Sequence, residues 1–303
     1  MQKIKILTDS TCDIPKEEEK RLGIKIMCFP VTVDGVSYRE RQDFSNAEFY
    51  KMMDNAKEMP TTSQLTAYEI LEVYKELYSE GWTDVIYVTI SSTGSATYNN
   101  ALSAAQTFKE EVLSKDGPKM RIHVVDSKNY TGVYGYPVMQ AALKAQKGAT
   151  SDEIIDYLHE WLDRAEVHFV PMTLKYVKRS GRVTAAAAFA GELLGLRPLI
   201  KIVGGVSTVV EKIRGEKNII PKLLADAEQY MTPQTPYLIV SGSDKTLPKI
   251  LEQAMTEKFG YPPEYMVEIG AAIACNAGHN VVGFVIKGCL LYTSPSPRDP
   301  KTS

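Results

Sequence analysis

The chain has 303 residues, of which 44% are hydrophobic, so it is long enough for two domains of ordinary size, about 100–150 residues each. Its 35 basic and 37 acidic side chains give a formal net charge of −2, and this balance offers no electrostatic attraction to nucleic acid or to an anionic membrane surface. Neither is expected as a partner.

Strand and helix patterns alternate along the first 150 residues. Residues 4–8 predict a strand, and Pro15 and Gly23 predict the ends of the first helix, because Pro favours the first helical turn and Gly the position after the last. Ser45 and Thr66, each followed three residues later by Glu, predict capping boxes that open two more helices. Further strands are predicted at residues 24–33, 36–39, 84–90 and 121–125. This alternation predicts a mainly parallel sheet with helices on both faces.

The second half has a different pattern. Thr150 and Glu153 form a third capping box, which predicts a helix over residues 154–165. Residues 197–203 and 206–213 flank Gly204-Gly205 and predict an antiparallel hairpin. Further helices are predicted after Asn218 and at residues 247–259, and further strands at residues 237–240, 265–269 and 281–286. The predicted fold class is α/β with two domains: an N-terminal α/β domain over residues 1–150 and a C-terminal α+β domain with antiparallel strands over residues 151–288.

The last residues, 289–303, are rich in Pro, Ser, Thr and charged side chains, a composition that does not build an apolar core. Residues 289–299 also resemble translated adapter sequence seen at the ends of some metagenomic gene models. We therefore expect residues 289–303 to be a non-native, disordered tail.

The cysteines and histidines give no sign of a metal site. The four cysteines lack paired spacing and the four histidines do not cluster with them, so we expect no metal and no disulfide framework. The start of the chain lacks the apolar segment of a signal peptide, and no stretch has the roughly 18 apolar residues of a transmembrane helix. We expect a cytoplasmic protein without integral membrane contact.

A hydroxyl-rich loop, residues 91–97, follows the strand predicted at residues 84–90. Loops at the carboxyl ends of parallel strands line ligand crevices, and the free N–H groups of the next helix add partial positive charge. The loop lacks the Lys of a phosphate-binding P-loop, so it favours a small anionic head group over a triphosphate. Three other polar segments are expected near the same crevice: Asp9-Ser10-Thr11, Pro60-Thr61-Thr62-Ser63-Gln64 and Lys178-Arg179-Ser180-Gly181-Arg182.

Each candidate residue also has an ordinary structural explanation. Thr62 and Ser95 are typical helix-capping residues. Arg182 is typical of a solvated surface charge, and a guanidinium that faces a carboxylate is the alternative.

Catalysis is disfavoured by the spacing of the candidate residues. Ser95 lacks the flanking glycines of Gly-x-Ser-x-Gly, and Asp9 and Asp13 are too far apart for the Asp-x-Asp pair of a phosphotransferase. We assign no catalytic residue, and a Ser- or Asp-dependent hydrolase or phosphotransferase is the alternative hypothesis.

Five motifs share an order and spacing that together are specific: Leu7-Thr8-Asp9-Ser10, Pro60-Thr61-Thr62-Ser63-Gln64, Ile90-Ser91-Ser92 with Ser95-Ala96-Thr97-Tyr98, Val125-Asp126-Ser127-Lys128, and Leu174-Lys175-Tyr176 with Gly181-Arg182-Val183. With these motifs the chain resembles the DegV family of bacterial fatty-acid-binding proteins over residues 3–287. No single motif carries the resemblance.

The resemblance implies that a long-chain fatty acid lies between the two domains, with its carboxylate held by Thr62 and Ser95 and with Arg182 near the head group. The residues expected behind these contacts are Ser63, Asn276 and His279. No cofactor besides the bound acid is expected. The resemblance also implies that the chain is not itself an enzyme and presents the acid to a separate ATP-dependent kinase, related to dihydroxyacetone kinases, that makes acyl phosphate.

Two positions depart from the family pattern. Ala96 replaces the Gly of the family's Leu-Ser-Gly-Thr motif, and Ala restricts the backbone of the loop. Asn276 stands where the C-terminal His-x-Gly-Pro-Gly motif has its His, and His279 is displaced from that position. Because Asn276 carries a neutral amide where the family has an ionisable ring, we expect transfer of the acid to a kinase to be affected more than lipid binding.

Overall fold

A computed structural model gives the structure of the protein and describes residues 2–113, 119–183 and 195–288. The strands are β1 (Ile4–Asp9), β2 (Lys25–Met27), β3 (Pro30–Val33), β4 (Val36–Arg39), β5 (Thr61–Thr62), β6 (Asp84–Thr89), β7 (Arg121–Asp126), β8 (Ala165–Pro171), β9 (Leu196–Val203), β10 (Val206–Arg214), β11 (Leu238–Ser241), β12 (Met266–Glu268) and β13 (Val281–Lys287). The α-helices of the described residues are α1 (Lys16–Leu22), α2 (Asn46–Asn55), α3 (Ala67–Ser79), α4 (Thr97–Glu111), α5 (Gly132–Gln146), α6 (Ser151–Leu162), α7 (Lys175–Ser180), α8 (Ile219–Tyr230), α9 (Thr246–Phe259) and α10 (Ala271–Ala277).

The N-terminal sheet is parallel, with the strand order β2-β1-β6-β7. Every residue of β6 is buried, as expected for a central strand that helices cover on both faces. Helix α5 packs against β1 and α4 against β7. All four strands end at the same edge of the sheet, so the loops that follow β1, β6 and β7 lie side by side. The predicted α/β class is confirmed.

The second sheet has the order β10-β9-β8-β13-β11-β12 and is antiparallel except for the β11–β12 pair. The predicted hairpin is present, and its turn residues Gly204 and Gly205 have φ values of 54° and 82°, which favour glycine. Helices α8 and α9 cover one face of this sheet. The other face, here called the inner face, shares a continuous apolar core with the N-terminal sheet.

The single strand predicted over residues 24–33 is wrong. The segment forms β2 in the parallel sheet and β3 in a separate antiparallel sheet of order β4-β3-β5. Between them, the Phe29 N–H donates to Ser10 Oγ at 2.9 Å rather than to a strand. Pro30 has no N–H to continue a ladder, so the chain changes sheets at this point.

The predicted bounds of the helix over residues 154–165 are also wrong. The Thr150 capping box is present and starts α6 at the next residue, Ser151. The helix ends at Leu162, because Ala165 already pairs with Lys287 in the second sheet. The other two capping boxes, at Ser45 and Thr66, are formed as predicted.

The division of the chain at residue 150 stays a prediction. Helix α6 follows that position in sequence and packs against α5, which precedes it. The predicted tail over residues 289–303, including Cys289, lies outside the described residues.

Candidate functional site

A cavity of about 580 Å³ lies between the carboxyl edge of the parallel sheet and the inner face of the second sheet. Its apolar wall includes Val167, Phe169, Ile202, Val240 and Ile273. Side chains alternate along a strand, so His168 points to the opposite face, where its ring nitrogens meet Glu166 and Asp226. The polar wall comes from β5, from the loops that follow β1, β5, β6 and β7, and from the segment that follows α7.

The hydroxyl loop, residues 91–97, is held from two sides. The Ser92 N–H donates to Asp126 Oδ1 at 3.0 Å, and the Ser92 hydroxyl donates to the same carboxylate at the end of β7. The N–H groups of Gly94 and Ser95 both donate to the Ser91 carbonyl, at 3.0 and 3.1 Å. These bonds close a turn that directs Ser95 into the cavity wall.

Ser95 lies just before α4 and ties that helix to the segment that contains Thr62. Its Oγ lies 2.9 Å from Thr97 Oγ1, which accepts from the Leu65 N–H at 3.3 Å. Asn100 Nδ2 donates to the Leu65 carbonyl at 2.7 Å. Among the described residues, no imidazole bonds to Ser95 Oγ, so the hydrogen bond between a serine nucleophile and a histidine base is not formed there.

Thr62 and Ser63 enter the same cavity from the small sheet. Thr62 pairs with Val31 across β5 and β3, and the Ser63 N–H donates to the Pro30 carbonyl at 3.1 Å. The Thr62 side chain is half-buried and lines the cavity. Within the described part of the chain its hydroxyl has no hydrogen-bond partner, so it is available to a ligand.

Arg182 lines the cavity two residues after the end of α7, and Gly181, the C-cap of that helix, has a φ of 67°. Its Nη1 donates to the Ser180 carbonyl at 2.8 Å, and its backbone N–H donates to Ser180 Oγ at 3.3 Å. The residue is exposed. A guanidinium has five N–H donors, and this carbonyl contact uses one of them.

Asn276 and His279 are separated by the structure. Asn276 lines the cavity from α10 and donates through Nδ2 to the Ala272 carbonyl at 2.8 Å. His279 lies outside the cavity wall: its Nδ1 is 2.7 Å from Ser243 Oγ and its Nε2 is 2.8 Å from Asp54 Oδ1. Of the residues singled out from the sequence, those that share the cavity are Thr62, Ser63, Ser95, Arg182 and Asn276.

The β9–β10 hairpin touches the hydroxyl loop. Thr93 Oγ1 donates to the Gly205 carbonyl at 3.4 Å. A Cβ at position 205 would lie 2.8 Å from Thr93 Oγ1, and the φ of 82° is unfavourable for other residues. Glycine therefore lets the second sheet approach the loop closely.

Two buried carboxyls, here called the carboxyl clasp, hold the start of α10. Asp13 Oδ1 accepts from the Gly270 N–H at 2.8 Å, and Glu40 Oε1 accepts from the Ala272 N–H at 3.0 Å. Burial raises the pKa of Glu40, and burial together with the Glu40 charge raises the pKa of Asp13 well above its usual range. Because α10 lines the cavity, the carboxyl clasp positions part of the cavity wall.

Thr11 and Thr131 are among the cavity residues that were given no site role from the sequence. Thr11 lines the cavity and its hydroxyl contacts Asp9 Oδ1 and Tyr134 Oη, the latter at 2.6 Å. The sequence signal for Thr11 is its position directly after the first predicted strand, which places Asp9-Ser10-Thr11 near the crevice. Thr131 also lines the cavity and has a φ of 51°, which is rare for a branched side chain, and no spacing marks it. Asp9 itself is fully buried and accepts from the Ile90 N–H at 2.8 Å.

Comparison with known proteins identifies the family. The family model described as "Uncharacterised protein, DegV family" matches residues 3–288. The chain belongs to the DegV family. A DegV domain-containing protein of Caldanaerobacter subterraneus subsp. tengcongensis is 34% identical over 220 residues, which are 73% of this chain and 75% of that relative.

Solved DegV structures share the fold. A fatty-acid-binding DegV family protein from Thermus thermophilus superimposes with a TM-score of 0.82 at 28% identity, covering 95% of this chain and 100% of that one. A DegV lipid-binding protein from Thermotoga maritima superimposes with a TM-score of 0.81 at 26% identity, covering 95% and 99%. The resemblance drawn from the motifs is confirmed.

Residues 2–113, 119–183 and 195–288 contain neither a metal-ligand cluster nor a membrane-spanning helix. Within these ranges no three His, Cys, Asp or Glu side chains group as metal ligands would. No helix of the same ranges is long and apolar enough to cross a membrane. Cys12, Cys28 and Cys275 are free thiols.

Proposed function

We propose that this DegV protein binds one long-chain fatty acid, with the carboxylate at the hydroxyl loop and the acyl chain against the inner face of the second sheet. The observation that carries the proposal is that Thr62, Ser95 and an apolar wall line one cavity of about 580 Å³. Pockets that enclose small ligands measure about 300–1,000 Å³. The fatty-acid-binding and lipid-binding relatives described above add support.

The apolar wall supplies the affinity. Burial of about 14 methylene groups contributes on the order of 11 kcal/mol gross, at about 0.8 kcal/mol each, before the costs of association and ordering are subtracted. Phe169 and Ile202 of the inner face provide contact area for such a chain.

The polar wall satisfies the carboxylate, which would be costly to bury without partners. The Thr62 and Ser95 hydroxyls can each donate one hydrogen bond, and Arg182 contributes a charge from the same wall. These contacts fix which end of the acid lies at the loop.

Organic extraction of the purified protein followed by mass spectrometry tests the proposal. We expect one dominant long-chain acid, and we expect Thr62→Ala combined with Ser95→Ala to lower its retention about tenfold or more, because two hydrogen bonds to a charged group are lost. Thr61→Ala is the matched control, since Thr61 lies on the same short strand and does not line the cavity. Absence of any acid, before and after its addition, would refute the proposal.

We further propose that the protein is cytoplasmic and does not catalyse a reaction itself, but presents the acid to a separate, dihydroxyacetone-kinase-like fatty acid kinase. The exposed Arg182 at the head-group wall is where such an enzyme would reach the carboxylate. A pull-down followed by an ATP-dependent acyl phosphate assay tests this step. We expect Asn276→His, which recreates the family residue, to increase acyl phosphate formation while the retained acid is unchanged. Failure of every ATP-binding partner to form acyl phosphate would contradict it.

A further inference from the structure

A second pocket, of about 340 Å³, lies between the end of α2 and helix α7. Its floor contains Met53, Met59 and the buried Tyr176. Three exposed cations surround the opening: Lys57, Lys175 and Arg179. This set is called the basic pocket below.

The three cations of the basic pocket have no ion-pair partner among the described residues. Lys175 Nζ lies 5.5 Å from the centroid of the Tyr176 ring, and this cation–π contact is its one side-chain partner among the described residues. Glu58 is the single acid in the lining, against three cations. Like charges around one concavity repel each other, and a bound anion removes that repulsion.

The acids nearest to the basic pocket are already engaged. Asp34 accepts from the backbone N–H groups of Lys57 and Glu58, at 3.2 and 3.0 Å. Asp54, at the end of α2, is 2.8 Å from His279 Nε2. Neither carboxylate forms an ion pair with Lys57, Lys175 or Arg179.

The chemistry of the cations favours a phosphate group. The guanidinium of Arg179 presents paired donors that match phosphate oxygens, and the Lys57 and Lys175 ammonium groups act as point charges beside it. A group that carries two negative charges and several acceptor oxygens satisfies three cations better than one carboxylate does.

The basic pocket adjoins the fatty-acid cavity. Helix α7 has six residues and is about 9 Å long. Arg179, near its end, lines the basic pocket, whereas the next residue, Ser180, lines the cavity. A phosphate in the basic pocket would therefore lie on the other side of α7 from the carboxylate-binding wall.

We propose that Lys57, Lys175 and Arg179 form a binding site for the phosphate group of a small molecule. The same chemistry is offered by a nucleotide and by a phosphorylated lipid head group. The site is defined by its own residues and does not depend on fatty-acid binding.

Isothermal titration calorimetry with pyrophosphate in low-salt buffer tests the site. We expect saturable binding by the whole protein, and a loss of about tenfold or more in affinity when Lys175→Gln and Arg179→Gln are combined, because two charge-assisted contacts are removed. Lys178→Gln is the control: it removes one positive charge from the exposed surface of α7, as each of the two substitutions does, but Lys178 lines neither pocket. We expect it to change the affinity less than about twofold.

Parallel titrations with ATP and with glycerol 3-phosphate distinguish the two sources, and the tighter ligand identifies its class. Retention of fatty acid by the double variant, measured by extraction, separates this proposal from the proposed function. Absence of pyrophosphate binding, or equal loss in the Lys178→Gln control and the double variant, would overturn the proposal.

Discussion

The carboxyl clasp makes the stability of the fold depend on pH, and Asp13→Asn tests this. Asp13 has a φ of 53°, in a left-handed region that Asn also tolerates, so the substitution preserves the backbone. The amide oxygen can still accept from the Gly270 N–H. What the substitution removes is the ionisation of a buried carboxyl that faces Glu40, the Thr131 hydroxyl and the Arg41 guanidinium.

The direction follows from the raised pKa of Asp13. Between the unfolded-chain pKa of about 3.9 and the raised pKa of the fold, the folded protein holds a proton that the unfolded chain has released. Stability from this carboxyl is therefore full below the unfolded value and is lost as pH rises through the folded value. Asp13→Asn lacks this loss. The free energy of unfolding of the variant minus that of the native protein should therefore rise with pH, by up to about 1.4 kcal/mol per pH unit in that window.

Urea denaturation of both proteins from about pH 4 to pH 8 measures this difference. Asp34→Asn is the matched control, because Asp34 also has a positive φ, of 47°, while backbone N–H donors lower its pKa. A carboxylate with a lowered pKa stabilises the fold above its unfolded-chain pKa, and this stabilisation is lost as the pH falls through its pKa in the fold. Asp34→Asn removes such a carboxylate, so the control should be less stable than the native protein at neutral pH. A flat or falling difference for Asp13→Asn would refute the reasoning about the clasp.

Substitutions at three further positions probe other contacts. Gly205→Ala places a methyl group 2.8 Å from Thr93 Oγ1, so we expect a lower Tm and weaker fatty-acid retention, and unchanged values for both would contradict the contact. His168→Leu removes the buried ring that bridges Glu166 and Asp226 and should lower the free energy of unfolding by about 3 kcal/mol, measured in urea. A loss under about 1 kcal/mol would contradict that role. Thr150→Ala removes the cap of α6 and should cost about 1 kcal/mol by the same measurement, whereas Thr150→Ser should recover most of it.

The features that the sequence predicted are local ones. Ser45, Thr66 and Thr150 open helices because each hydroxyl and the Glu three residues later satisfy each other's backbone N–H groups, and nothing distant is needed. The Gly204-Gly205 hairpin is local in the same way. The motif order added the family, and with it the expectation that Thr62 and Ser95 would share a site.

The features that the sequence did not predict depend on distant contacts. Helix α10 has seven residues, mostly small, without an apolar stripe, and it is held by Asp13 and Glu40 from the other end of the chain. The break at Phe29 likewise depends on Ser10, nineteen residues earlier. The displacement of His279 toward Asp54 could not be read from spacing, because the two residues are 225 positions apart.

The two walls of the cavity come from separate parts of the chain. The hydroxyls proposed to hold the carboxylate belong to Thr62 and Ser95, whereas much of the apolar wall belongs to residues 167–281. Under the proposed function, a change of side-chain volume at Ile202 or Val240 would therefore alter the length or bend of the acid that fits, without changing the side chains that hold the carboxylate. In the proposed binding mode, the choice of acid is therefore set by side chains that lie far in sequence from the hydroxyls that hold its head group.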